Sequence, residues 1–189
     1  MKPNRIAIIV VVGIFALLNT ACGALPNIPG LNFGQNNSSG GSSRPTVAKT
    51  GDLAPEINLK SMAGDQITLS QLTGHPVLVN FWATWCGPCR EEFPALERAN
   101  RKYKSQGLVV IGVNTGDEGS DDLVNTFARN SVVSFPIVRD AGDRLGRMYN
   151  IKGLPTSVFV DKTGVIRDIV VGGPMSDDFI AKEYALIAP

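Results

Sequence analysis

Two cysteines two residues apart, in Trp85-Cys86-Gly87-Pro88-Cys89, directly follow the apolar-rich run Val77-Leu78-Val79-Asn80-Phe81-Trp82. The run reads as a buried strand, and residues 91–104 read as a helix. The cysteines therefore fall on a strand-to-helix turn, at the start of the helix. A thiol there meets unpaired backbone N–H groups and the positive end of the helix dipole. Both favour the thiolate, the form that attacks disulfides. The spacing also lets the sulfurs close one small ring, so the site can cycle between dithiol and disulfide.

Other uses of the pair fit less well. A structural zinc site needs four ligands, and the chain offers only Cys22 and the single histidine, His75, besides this pair. A structural disulfide across two residues constrains the unfolded chain little. The net charge of +1 gives no electrostatic case for nucleic acid. No glycine-rich phosphate loop is present: residues 112–119 contain neither a Lys-Ser/Thr pair nor G-x-G-x-x-G.

The N-terminus has a different character. Lys2 and Arg5 precede an apolar stretch over 6–18, and Asn19-Thr20-Ala21-Cys22-Gly23 follows. This is the three-part pattern of an export signal. It resembles a bacterial lipoprotein signal, which implies lipidation of Cys22. Asn19 departs from that pattern, where an aliphatic residue is usual. An uncleaved anchor and an ordinary cleaved signal are the alternatives, and all three place the rest of the chain outside the cytoplasm. Residues 23–46 are rich in Gly, Asn, Ser and Pro and read as a flexible linker. A coil of that kind reaches about 25 Å end to end. The expected organisation is an export segment over 1–22, the linker over 23–46 and one folded domain over 47–189.

Within the domain, Glu56-Ile57-Asn58-Leu59 and Gln66-Ile67-Thr68-Leu69 alternate around the turn Ala63-Gly64-Asp65 and read as a hairpin. Ser70 is expected to cap a short helical turn, and Pro94 to kink the helix that follows the cysteines. Residues 108–113 read as a second buried strand, 121–130 and 140–149 as helices, and 157–160 and 165–171 as strands about the turn Asp161-Lys162-Thr163-Gly164. Ser176 is expected to cap a last helix ending near Ile187. Alternating strands and helices with a terminal hairpin imply an α/β fold with a central mixed sheet covered on both faces.

Phe81-Trp82-Ala83-Thr84-Trp85-Cys86-Gly87-Pro88-Cys89-Arg90 resembles the active-site segment of the thioredoxin superfamily. The chain is most similar to its exported, membrane-tethered TlpA/ResA-like thiol-disulfide oxidoreductases, with a redoxin (AhpC/TSA-like) domain. Further matching blocks are Gly51-Asp52-Leu53-Ala54-Pro55, Val79-Asn80-Phe81-Trp82, Glu92-Phe93-Pro94, Gly112-Val113-Asn114 and Gly153-Leu154-Pro155-Thr156. The resemblance implies a thioredoxin-like fold with an N-terminal β-hairpin extension. It also implies that Cys86 attacks a substrate disulfide and Cys89 resolves the mixed disulfide. Pro155 matches the family's cis-proline, beside which the Leu154 backbone would pair with an extended substrate. Trp85, Gly87, Pro88 and Thr156 would complete the docking surface.

For the proton acceptor, thioredoxin's buried aspartate corresponds to Asn80, which cannot titrate. ResA-like proteins carry an acid after Val-Asn-x-Gly, and Asn114-Thr115-Gly116-Asp117 puts Asp117 there, with Glu118 next to it. Glu91 and Glu92 are expected to be first-turn charges that suit the helix dipole, and His75 an exposed bystander. The implied partners are cysteine-containing exported proteins, a membrane thiol electron donor, and the membrane itself through a lipid or N-terminal anchor. Apocytochrome c is the substrate the family suggests. No metal or organic cofactor is expected beyond the redox-active pair. A disulfide-forming oxidase is the rival function, with a peroxiredoxin-type peroxidase behind it; the latter needs Pro-x-x-x-Thr-x-x-Cys, which is absent around Cys86.

Overall fold

The computed structural model describes residues 44–189. The expected export segment, nearly all of the linker and Cys22 lie outside the described residues. Arg44 already belongs to the folded part: its guanidinium donates to the Ala54 carbonyl at 2.6 Å and pairs with Glu56 at 3.1 Å.

The elements in chain order are β1 (Asn58–Lys60), β2 (Gln66–Thr68), β3 (Val77–Trp82), α1 (Gly87–Tyr103), β4 (Val109–Thr115), α2 (Asp121–Asn130), β5 (Ile137–Asp140), α3 (Arg144–Met148), β6 (Thr156–Val160), β7 (Ile166–Val171) and α4 (Asp177–Ile187). β1 and β2 form the expected antiparallel hairpin. The other strands form one mixed sheet in the order β5-β4-β3-β6-β7. β4 runs parallel to β3 and β5 parallel to β4, while β6 and β7 are antiparallel. This is the α/β thioredoxin-like architecture.

β3 is buried on both faces because layers cover each side of the sheet. Val77, Val79 and Phe81 pack with Ile111, Val113, Leu145, Tyr149 and Val158 on one face. Leu78 and Trp82 pack on the other with Phe93 and Leu96 of α1 and Ile180 and Ile187 of α4. The Trp82 ring lies edge-on to Phe93 at 5.1 Å and stacks on Phe127 at 5.1 Å. Gly112 makes room for this cluster: a β-carbon there would stand 2.5 Å from Ile137 Cδ1 and 3.3 Å from Trp82 Nε1.

The structure corrects several local expectations. α1 begins at Gly87, four residues earlier than read, because Pro88 suits a first turn and Cys86 caps it. Pro94 lies inside this helix, as expected. Ser70 sits inside a 3-10 turn over Leu69–Leu72 rather than capping it. Its N–H is taken by Glu56 Oε1 at 3.1 Å. The helix read over 140–149 is only Arg144–Met148, and Asp140 ends a strand that the pattern concealed. The Asp140 carboxylate accepts the Arg144 and Gly146 N–H groups at 3.0 and 2.9 Å, so it serves the helix from outside it. Ser176 does cap α4, accepting the Phe179 N–H at 3.2 Å.

Candidate functional site

β3 delivers Thr84 and Trp85 to the turn, and α1 starts at once behind them. Cys86 is the N-cap residue of this helix, and its sulfur accepts the Cys89 N–H at 3.2 Å. The first turn of α1 carries no acidic residue, so the helix N-terminus acts on the sulfur undiminished. Cys86 and Cys89 form a disulfide, with their Cα atoms 5.3 Å apart. Cys89 is wholly buried, whereas Cys86 keeps 3% of its surface exposed. The intact pair is the redox group itself. Among the described residues, no cluster of three or more His, Cys, Asp or Glu could hold a metal ion.

The docking residues of the sequence reading gather around this turn and the β6 entry. The Leu154–Pro155 bond is cis. Pro155 is buried and Leu154 half-buried, and the Pro155 carbonyl accepts the Gly172 N–H at 2.8 Å, tying the loop to the end of β7. Thr156 is buried and its hydroxyl donates to the Gly153 carbonyl at 2.7 Å, so it braces the loop from below. Gly87 is half-buried and Pro88 exposed. Trp85 is 63% exposed, which removes it from the core. Its indole N–H donates to the Gly116 carbonyl at 3.1 Å. With the exposed Val171, it gives the rim of the site apolar surface.

Asp117 accepts three hydrogen bonds: its Oδ2 from the Thr84 N–H at 2.6 Å and from Asn114 Nδ2 at 3.0 Å, and its Oδ1 from the Gly119 N–H at 3.0 Å. Burial alone would raise its pKa. The bonds from Asn114, Thr84 and Gly119 outweigh burial and hold the carboxyl below the ordinary aspartate range. Glu118 beside it is exposed. Arg139 of β5 secures the loop from behind. It donates to Asn114 Oδ1, to the Gly119 carbonyl at 2.5 Å and to the Asp117 carbonyl at 3.1 Å, and its Nε meets Asp121 at 3.0 Å.

Glu92 is the residue the sequence reading missed. It is not a first-turn charge, since the first turn of α1 holds no acid, and only 1% of its surface is exposed. It lies three residues beyond Cys89, on the same face of α1. Asn80 Nδ2 donates to its Oε1 at 2.7 Å, and the Met175 N–H to its Oε2 at 3.2 Å. A β-carbon on Gly173 would come within 2.5 Å of Glu92 Oε2 and 2.8 Å of Pro155 Cγ. The carboxyl and the cis-proline ring thus share one neighbour that must stay small. Burial pushes the Glu92 pKa up to about 7, against the opposing bonds from Met175 and Asn80. A buried acid that titrates near neutrality, behind a thiol pair, can take and return a proton. The signal for it was present: on a helix starting at Gly87, Glu92 shares the inward stripe with Cys89, Phe93 and Leu96.

The model of the AhpC/TSA family matches residues 50–169. The thioredoxin-like protein YneN of Bacillus subtilis (strain 168) is 42% identical over 123 residues, covering 65% of this chain and 71% of YneN. The thiol-disulfide oxidoreductase ResA of the same organism is 35% identical over 139 residues, 74% of this chain and 76% of ResA. Among solved structures, a putative thiol:disulfide interchange protein DsbE from Chlorobium tepidum superposes with a TM-score of 0.67 at 33% identity, covering 74% of this chain and 97% of that one.

Proposed function

The chain belongs to the AhpC/TSA family, with homology to ResA-type thiol-disulfide oxidoreductases, and from that premise we propose that it reduces disulfides of exported proteins at the outer face of a bacterial membrane. The observation that carries this reading is Cys86 at the N-cap of α1, bonded to the Cys89 N–H and barely exposed, with Cys89 buried behind it.

The Cys86 thiolate attacks a substrate disulfide and expels one substrate thiolate. Cys89 then attacks Cys86 in the mixed disulfide, releasing the second substrate thiolate and closing the Cys86–Cys89 bond. The substrate gains two electrons and the pair loses two. A membrane thiol donor must therefore return the pair to the dithiol. Cys89 has to lose its proton to resolve the intermediate, and Glu92 is placed on its helix face to accept it. Asp117, held ionised by its N–H donors, acts instead as the brace of the Thr84–Trp85 turn. An extended substrate pairs with the Leu154 backbone and rests on Trp85 and Val171.

Apocytochrome c is the substrate offered by the family resemblance, and Cys22 the proposed point of lipid attachment. Among the described residues no helix is long and apolar enough to cross a membrane, so membrane attachment in this reading rests on the N-terminal segment. Covalent trapping tests the reading: Cys89→Ser in the living bacterium should accumulate mixed disulfides through Cys86 with exported proteins, and Cys86→Ser should not. Equal trapping by both variants would defeat the assignment of the nucleophile.

A further inference from the structure

Asn80 lies at the middle of β3, opposite Gly112 on β4 and Ser157 on β6. It is wholly buried, on the sheet face that α1 covers. Its amide nitrogen donates both to Glu92 Oε1 at 2.7 Å and to Ser157 Oγ at 3.0 Å. Its Oδ1 is buried with no hydrogen-bond partner. A buried amide oxygen left unpaired is costly, and here it belongs to the residue that holds the acid behind the cysteine pair.

The two protonation states of Glu92 ask opposite things of this neighbour. The carboxylate is acceptor-only and needs donors, which Asn80 Nδ2 and the Met175 N–H supply. The carboxylic acid carries an O–H and needs an acceptor. Half a turn of the Asn80 amide about its terminal torsion, a soft two-fold one, exchanges Nδ2 for Oδ1 at the same place. The Ser157 hydroxyl can follow, since it accepts from the nitrogen and donates to the oxygen. Each orientation leaves one amide atom unpaired, and of the two bonds the one to the carboxylate, being charge-assisted, is the stronger.

We infer that Asn80 is a positioning residue for proton exchange, whose amide reverses between donor and acceptor as Glu92 loses and gains its proton. The inference rests on the reading of Glu92 as the proton acceptor. Glu92 is faced by Asn80 from β3, by Pro155 ahead of β6 and by Gly173 and Met175 from the segment after β7, with Cys89 before it on α1. Of these only Cys89 can ionise, and only when reduced. No neighbouring charged side chain contributes to the shift of Glu92.

NMR of the oxidised wild-type protein, labelled with 13C and 15N and titrated from pH 5 to 9, tests this directly. The Asn80 side-chain amide resonances should shift with the same midpoint as the Glu92 carboxyl carbon. The shift should vanish in Glu92→Gln. An Asn80 amide that holds still across this range, whether or not Glu92 titrates, overturns the inference. In a second arm, Asn80→Ala removes donor and acceptor together, and the Glu92 midpoint should rise by about one pH unit or more, a tenfold change in proton affinity. An unchanged midpoint also overturns it. Disulfide exchange with a model substrate, measured on the same wild-type sample, reports separately on the proposed function: its absence would sink that reading while the amide titration still decides the role of Asn80.

Discussion

Two carboxylates flank the cysteine turn, and their surroundings push them in opposite directions. Asp117 sits in the loop after β4, where Thr84, Gly119 and Asn114 all donate to it and keep it ionised. Glu92 sits inside α1, where burial outweighs its two donors and lifts it to about 7. The contrast shows that an acid's distance in sequence from a reactive pair says little about its task. The number of N–H groups aimed at it decides. A carboxylate with three donors is held ionised, while one short of donors in a buried setting is pushed toward neutrality, where it can carry a proton.

The largest effect that could break this contrast lies at the cysteines themselves, since neither acid has a task without them. Cys86→Ser should abolish disulfide exchange in an insulin-reduction assay, and Cys89→Ser should stall at the mixed disulfide. Next comes Glu92→Gln, which keeps the shape and removes the proton site. Loss of a general base costs roughly 10²-fold or more, and the fall should appear in the resolving step measured by stopped flow.

The same substitution has an opposite effect on stability. The folded pKa of Glu92 lies above its ordinary value, so below about pH 4.5 both states are protonated and the residue is neutral for stability. As pH rises from 4.5 to about 7 the unfolded chain ionises first and stability is lost. The loss amounts to roughly 3 kcal/mol once pH exceeds the folded pKa. Glu92→Gln should therefore raise the denaturant midpoint at pH 8 and leave it nearly unchanged at pH 4.

Asp117 should behave in the reverse sense. Its lowered pKa stabilises the fold above the ordinary aspartate range, and that contribution is lost as pH falls through the folded value. Asp117→Asn should loosen the Thr84–Trp85 turn, cost about 1–3 kcal/mol, and slow exchange only several-fold. If it instead moves the Cys86 thiolate titration, read by thiolate absorbance, Asp117 is exchanging protons and the contrast between the two acids fails. The smallest effect is expected from Arg139→Lys, which keeps the charge but loses the fork that spans Asn114, Gly119 and Asp121. It should reduce the fluorescence anisotropy of Trp85 with little change in rate.

These contrasts also mark what the sequence could reveal. The apolar run of β3, the cysteine turn and the hairpin were legible because period and turn chemistry agree there. β5 was concealed because it is a four-residue edge strand, Ile137–Asp140, with charged residues in half its positions. The bonds that hold Asp117 were hidden because two of its three donors are the backbone N–H groups of Thr84 and Gly119, which carry no residue-type signal. Glu92 was misread because the helix start was placed four residues late, at 91. From that start it looks like a first-turn charge, whereas from Gly87 it falls inside the buried stripe. One misplaced helix terminus thus turned the site's buried acid into a first-turn charge.

The central claim is that Glu92 accepts the proton from Cys89. It is tested most directly by the pH profile of exchange with a model disulfide, measured between pH 5 and 9 for the wild type and Glu92→Gln. The account predicts an inflection near pH 7 in the wild type that is missing in the variant, leaving only the titration of the cysteines. Superimposable profiles in the two proteins would contradict it.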